Sequence, residues 1–113
     1  MSNLHERRCK PCEGGVEPLS LAAARELMAA LDPEWTLAAD GKSIKRSFSF
    51  PAFSWTIAFV NAVAWIATTE GHHPELTVNY GRCVVRYTTT AIDGLSENDF
   101  ICAAKIDRLA ADL

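Results

Sequence analysis

One pattern limits what this chain can fold into more than any other. A stretch with helical spacing is followed by two short alternating segments around a glycine, and this happens twice. In the first unit Leu21, Ala24, Leu27, Met28 and Leu31 fall on one helical face after Ser20, whose hydroxyl can accept from a free backbone N–H at the helix start. Asp32-Pro33 ends that helix, because the residue before a proline avoids the α region. Residues 35–39 and 43–50 then read as a hairpin around Asp40-Gly41, a tight-turn signal because glycine reaches positive φ without strain. In its second strand Ile44, Phe48 and Phe50 point one way and Lys45, Ser47 and Ser49 the other, with Arg46 interrupting the apolar face.

The second unit opens at Pro51, a residue suited to a first helical turn, and its helix is predicted to stop at Gly71. Phe53, Ile57, Val60, Ala64 and Ala67 form the predicted inner stripe; Trp55, Phe59, Ala62 and Ile66 form another. A helix apolar on two sides is expected to be buried on two sides, the second against another subunit. Residues 76–80 and 82–89 make a second hairpin around Gly81. Leu76, Val78 and Tyr80 alternate on the first strand, and Cys83, Val85 and Tyr87 on the next. A last helix starts at Ser96-Glu97-Asn98-Asp99, a capping box with the aspartate at the third helical position and Leu95 placed to staple onto Phe100.

The order is therefore α-β-β-α-β-β-α. The fold class expected is α+β, a four-stranded antiparallel sheet with three helices packed on one face. Open sheet edges favour a dimer. A chain of 113 residues is one domain's worth. Residues 1–18 stand apart as an N-terminal arm. They carry mixed charges, Gly14-Gly15 and two prolines with almost no large apolar side chain, so the arm is expected to be mobile or loosely docked. Residues 19–113 form the domain proper. A net charge of −3 speaks against nucleic acid, which wants a basic face. No apolar run approaches the roughly 18 residues of a membrane span, and the N-terminus lacks the apolar core of a signal peptide. Cys9, Cys12, Cys83 and Cys102 are expected as thiols in a reducing cytoplasm.

The densest polar cluster is Glu70-Gly71-His72-His73-Pro74, between a helix end and a strand. Imidazoles titrate near neutrality and can give or take a proton there; the plainer reading is a pair of helix-end side chains capping carbonyls. A metal is not expected, because adjacent histidines seldom point together and no third ligand is suitably spaced. Cys9-Lys10-Pro11-Cys12 has redox or zinc spacing, but it lacks a second cysteine pair and a following helix, so simple thiols are the expectation. Trp35, Trp55 and Trp65 lie on elements with packing periodicity and read as core or interface. Arg82 and Arg86 share a strand face that is solvated, meets an anion or pairs across a subunit boundary.

Taken together, these residues resemble the pterin-4a-carbinolamine dehydratases over nearly the whole chain. The resemblance rests on Cys9-Lys10-Pro11-Cys12-Glu13-Gly14-Gly15, Phe48-x-Phe50-x-x-Phe53, Ala58-Phe59-Val60-Asn61 and the run from Gly94 to Phe100. The family signature centres on a His-His-Pro triplet, matched by His72, His73 and Pro74. An aromatic follows after five residues, matched by Tyr80, and an aspartate closes it, matched by Asp99. The resemblance implies the α+β fold already derived, assembled as dimers that in some members pair into tetramers. The implied activity is dehydration of a 4a-hydroxytetrahydropterin to a quinonoid dihydropterin, with no cofactor and no metal. On this carry-over His72 is the acid toward the departing hydroxyl, and His73 binds the ring or serves as base. His72, His73, Pro74 and Tyr80 line the substrate.

Two positions depart from the pattern. The family has an ionisable or polar residue four before the first histidine, where this chain has Thr68. It has a third histidine, sometimes tryptophan, where this chain has Thr90. A threonine hydroxyl can hydrogen-bond but not shuttle a proton at neutral pH. Glu70 could stand in for the missing carboxylate in part, at a helical phase about 200° away. The family also has branches that act as protein partners. One is encoded with α-carboxysomes, has altered site residues and is linked to Rubisco assembly. With Thr68 and Thr90 the chain looks closer to that branch, which implies the Rubisco large subunit as partner and a carboxysome-associated location. The alternative is an active or weakly active dehydratase.

Overall fold

The computed structural model describes residues 3–11 and 14–111. Cys12, one half of the arm's cysteine motif, lies outside the described residues. The elements are α1 (Leu21–Met28), β1 (Thr36–Leu37), β2 (Ile44–Ser49), α2 (Phe53–Glu70), β3 (Glu75–Asn79), β4 (Arg82–Tyr87) and α3 (Glu97–Ala110), with single 3-10 turns at Leu4–Glu6 and Thr90–Ile92. The four strands form one antiparallel sheet in the order β1-β2-β4-β3, so the two hairpins meet through their inner strands. This is the α+β arrangement expected. Among the described residues no helix is long and apolar enough to cross a membrane.

Period-two alternation delivers the core face of the sheet. Ile44 pairs with Tyr87 and Phe48 with Cys83; all four are buried together with Val85, against α2 and α3. Arg46 sits on this inner face, as its interruption of the pattern requires. Its guanidinium is held by Asp107 at 2.7 Å and lies over the Phe48 ring at 4.3 Å. Trp35 donates its indole N–H to the same carboxylate at 2.7 Å. Position 41 has the positive φ predicted for the first turn, +71°. The turn itself is wider than a two-residue hairpin, because Ala38 and Ser43 are the last pair joined, by the Ala38 N–H donating to the Ser43 carbonyl.

Helix α2 departs from the predicted phase. Its buried residues are Thr56, Phe59, Val63 and Ala67. Phe53, placed in the inner stripe by sequence, is 49% exposed, and Phe59, placed in the outer one, is core. The cause is local: the Thr56 hydroxyl lies between the carbonyls of Ala52 and Tyr80, at 3.1 and 2.8 Å. A polar residue with its hydroxyl satisfied thereby replaces an apolar one at the core position. The second apolar side faces solvent in the single chain, with Trp55 and Trp65 exposed, whereas Trp35 is core.

Residues 3–11 of the arm, expected to be mobile or loosely docked, lie against α3, whereas residues 14–18 are exposed. Leu4 is buried in the core cluster. Asn98 holds the Lys10 backbone on both sides, accepting from its N–H at 3.0 Å and donating to its carbonyl at 2.7 Å. Lys105 donates to the His5 carbonyl at 2.8 Å, and Arg7 pairs with Glu97. Apart from Leu4 and the Arg7–Glu97 pair, these contacts run from side chains of α3 to backbone groups of the segment, so they leave no apolar periodicity to read.

Candidate active site

The site is assembled where α2 ends and α3 begins. Gly71 closes α2 in the left-handed region, at φ +66°, which a residue with a Cβ seldom adopts. The His72 N–H then donates back to the Ala67 carbonyl at 3.1 Å. This closure of the last turn swings the His72 side chain inward while the chain leaves for β3. From the other direction the capping box opens α3 and fixes Asp99, whose Oδ2 accepts from the Ser96 N–H at 3.0 Å.

The two meet. His72 Nε2 donates to Asp99 Oδ1 at 2.6 Å. The Asp99 side chain is fully buried and that of His72 is 10% exposed. Thr89 donates its hydroxyl to Asp99 Oδ2 at 2.7 Å and lies 2.7 Å from the Ser96 hydroxyl. The His72 ring stacks on Tyr87, centroids 5.6 Å apart and planes 8° from parallel. Burial opposes a charged imidazole, but the hydrogen bond and charge of Asp99, with a smaller contribution from Cys102, outweigh it and hold His72 above the usual histidine range. A buried acid–base pair with one imidazole edge near the surface can hold a proton and release it toward a bound molecule.

A stability prediction follows from that direction. The folded-state affinity for the proton exceeds the unfolded one. The stabilisation by the pair is therefore fully present below the ordinary histidine value of about 6.5 and is lost as pH rises through the raised one. The gap in urea stability between the natural chain and His72→Asn is expected to be widest between about pH 5 and 6.5 and to narrow above it. A gap that widens toward alkaline pH would contradict the assigned pair.

The other predicted residues are distributed unevenly. His73 is exposed and Pro74 half-buried in the same loop. Thr90 follows Thr89 directly, exposed at the start of its 3-10 turn. Tyr80 is elsewhere: it lies beyond the far end of β3, about 17 Å of strand from the histidine loop, and stacks on Phe53 with centroids 6.2 Å apart. Glu70 does not take the place of the missing carboxylate. It turns to the N-terminal segment, where Oε1 accepts from the Cys9 N–H at 2.8 Å and Oε2 pairs with Arg8 at 2.9 Å. Thr68 is exposed on α2. Sequence reasoning missed Thr89 and Tyr87. The strand alternation of Cys83, Val85 and Tyr87 marked the latter as inward-facing, but nothing marked its partner. A cavity of about 700 Å³ lies apart from this cluster, lined by Glu34, Arg46, Phe48, Phe50 and Trp55 among others. The Arg46 guanidinium in its lining is held by Asp107.

The fold and this pair define an α+β protein with a histidine–aspartate centre between a helix end and a helix start. The chain belongs to the pterin 4 alpha carbinolamine dehydratase family, whose model matches residues 17–109. A relative from Nitrosomonas eutropha, provisionally named pterin-4-alpha-carbinolamine dehydratase, is 55% identical over 95% of this chain and 93% of its own length. One from Legionella pneumophila with the same provisional name is 48% identical over 98% of both. Among solved structures, a transcriptional coactivator/pterin dehydratase from Brucella melitensis superposes with a TM-score of 0.77. It is 32% identical and covers 83% of this chain and 99% of that one. A pterin dehydratase-like protein identified as a RuBisCO assembly factor in the alpha-carboxysome has a TM-score of 0.59 at 22% identity, over 68% of this chain and 89% of that one; that likeness is one of fold.

Proposed function

We propose that the chain binds a 4a-hydroxytetrahydropterin at the histidine loop and dehydrates it slowly, through a site that keeps one proton-handling pair and has lost the second. The observation that carries this is the buried His72–Asp99 contact of 2.6 Å with a threonine at position 90. In this reading His72 gives its proton to the departing hydroxyl and Asp99 steadies the charge. The exposed His73 contacts the ring or takes the proton from N5. Dehydration needs both transfers, and the residue types supply only part of the set. The test is a direct assay of dehydration with a pterin-binding measurement beside it. His73→Ala, a change at an exposed position, is expected to weaken binding or turnover at least tenfold while leaving the melting temperature within a few degrees. Unchanged binding and turnover would remove the role given to the loop. His72→Ala is a poorer control, because it leaves the buried Asp99 without its partner.

A second reading is favoured by Thr90 together with the exposed aromatic residues Phe53, Trp55, Trp65 and Tyr80. In it the protein works through contact with another protein, the Rubisco large subunit, as an assembly factor associated with carboxysomes in the cytoplasm. A reconstitution in which the chain changes neither the yield nor the oligomeric state of Rubisco would end this reading. Both readings include self-association, as a dimer or a pair of dimers, because α2 presents an apolar second side and β3 is an open edge. Light scattering at micromolar concentration is expected to give at least the dimer mass, and a monomer mass would remove the claim.

A further inference from the structure

Behind the His72–Asp99 pair the structure brings together two cysteines that are 93 positions apart. Cys9 Sγ and Cys102 Sγ are 3.5 Å from each other. Cys102 is fully buried on α3, three residues beyond Asp99, and Cys9 is half-buried at the surface of the docked segment. The backbone on both sides of the Cys9 sulfur is held. The Cys9 N–H donates to Glu70, and Asn98, one turn before Cys102, clamps Lys10 from both sides. A disulfide needs the sulfurs about 2.05 Å apart, so the remaining approach is about 1.5 Å, within the reach of side-chain rotation.

We propose that Cys9 and Cys102 are an oxidisable pair whose disulfide, formed by a peroxide, locks the N-terminal segment onto α3 behind the histidine site. One sulfur attacks the peroxide; its S–O bond forms as the O–O bond breaks, and the departing oxygen leaves as water after taking a proton. The second sulfur attacks the resulting sulfenic acid. The S–S bond forms, the S–O bond breaks and a second water leaves. Two thiols and one peroxide thus give one disulfide and two waters, the sulfurs being oxidised and the peroxide oxygens reduced. The contact with Cys9, then the charge of His72 and the Tyr87 hydroxyl, outweigh burial and draw the Cys102 thiol down, while the contact with Cys102 and burial push the Cys9 thiol up. Cys102 is therefore the sulfur favoured as the thiolate that attacks a sulfenic acid on Cys9. Solvent reaches the pair from the Cys9 side. The sequence motif points to a different partner, Cys12, so the proposal is specific.

The experiment uses the full chain, reduced and then exposed to hydrogen peroxide, blocked by alkylation, digested and mapped by mass. The expected product is a peptide cross-linked between Cys9 and Cys102. It should be reversed by a thiol reductant, lost in Cys9→Ser and retained in Cys12→Ser. The mapping on the natural chain decides the matter without any variant. Linkage of Cys9 to Cys12, linkage only between molecules, or oxidation of single thiols without cross-linking would overturn the proposal.

Discussion

Thr90→His is expected to raise dehydratase turnover by about 10²-fold, the lower end of what a positioned general acid or base contributes. Position 90 directly follows Thr89, whose hydroxyl is bonded to Asp99, so an imidazole there enters next to the existing pair. The site is exposed at the start of a 3-10 turn, and a surface substitution of this kind moves stability by about 0.5 kcal/mol or less. Rate and fold are therefore separable. Single-turnover dehydration of a 4a-hydroxytetrahydropterin by both chains is the measurement. If they turn over equally fast, Thr90 is no lesion and the slow-site reading is wrong.

The largest stability effect is expected at Asp99. Its carboxylate accepts from His72, Thr89 and the Ser96 N–H, and its side chain is fully buried. Removing it unpairs three donors at once and takes the cap from α3. Asp99→Ala should cost about 3 kcal/mol or more in urea denaturation, as expected for breaking a buried pair. Asp99→Asn keeps the volume and an acceptor for Thr89 and Ser96, so its cost should be clearly smaller while the pH dependence assigned to His72 disappears. Equal losses for the two variants would mean that the charge carries the stability alone, and that the volume and acceptor kept by asparagine contribute nothing.

Much of this was legible before any coordinates. Element order followed from two changes of period, and the start of α3 from a four-residue cap that also delivers Asp99. Of the site, the histidines and Asp99 could be named, but their contact could not be derived from spacing, since it depends on the left-handed closure at Gly71. The phase of α2 was illegible for a plain reason. Apolar residues lie on more than one side of it, so periodicity selects no single face, and the buried side is the one on which Thr56 meets the carbonyls of Ala52 and Tyr80. The docking of residues 3–11 was illegible because side chains of α3 grip backbone there, and backbone is the same in every sequence. Glu70 was misjudged on the same account: a carboxylate two residues from a histidine is engaged by the Cys9 amide instead.

The strand order has a consequence for how the chain reaches this state. Each hairpin joins neighbours in sequence, yet the centre of the sheet pairs Ser49 with Arg82 across all of α2 and β3. That pairing must close the longest loop in the sheet, so its entropy is met before the contacts that reward it. The hairpins and α2 rest on contacts close in sequence, and bringing β2 against β4 is the step expected to be slow. During synthesis the partner of β2's inner edge follows it by more than thirty residues, so that edge is expected to be open to pairing with another chain until β4 has left the ribosome.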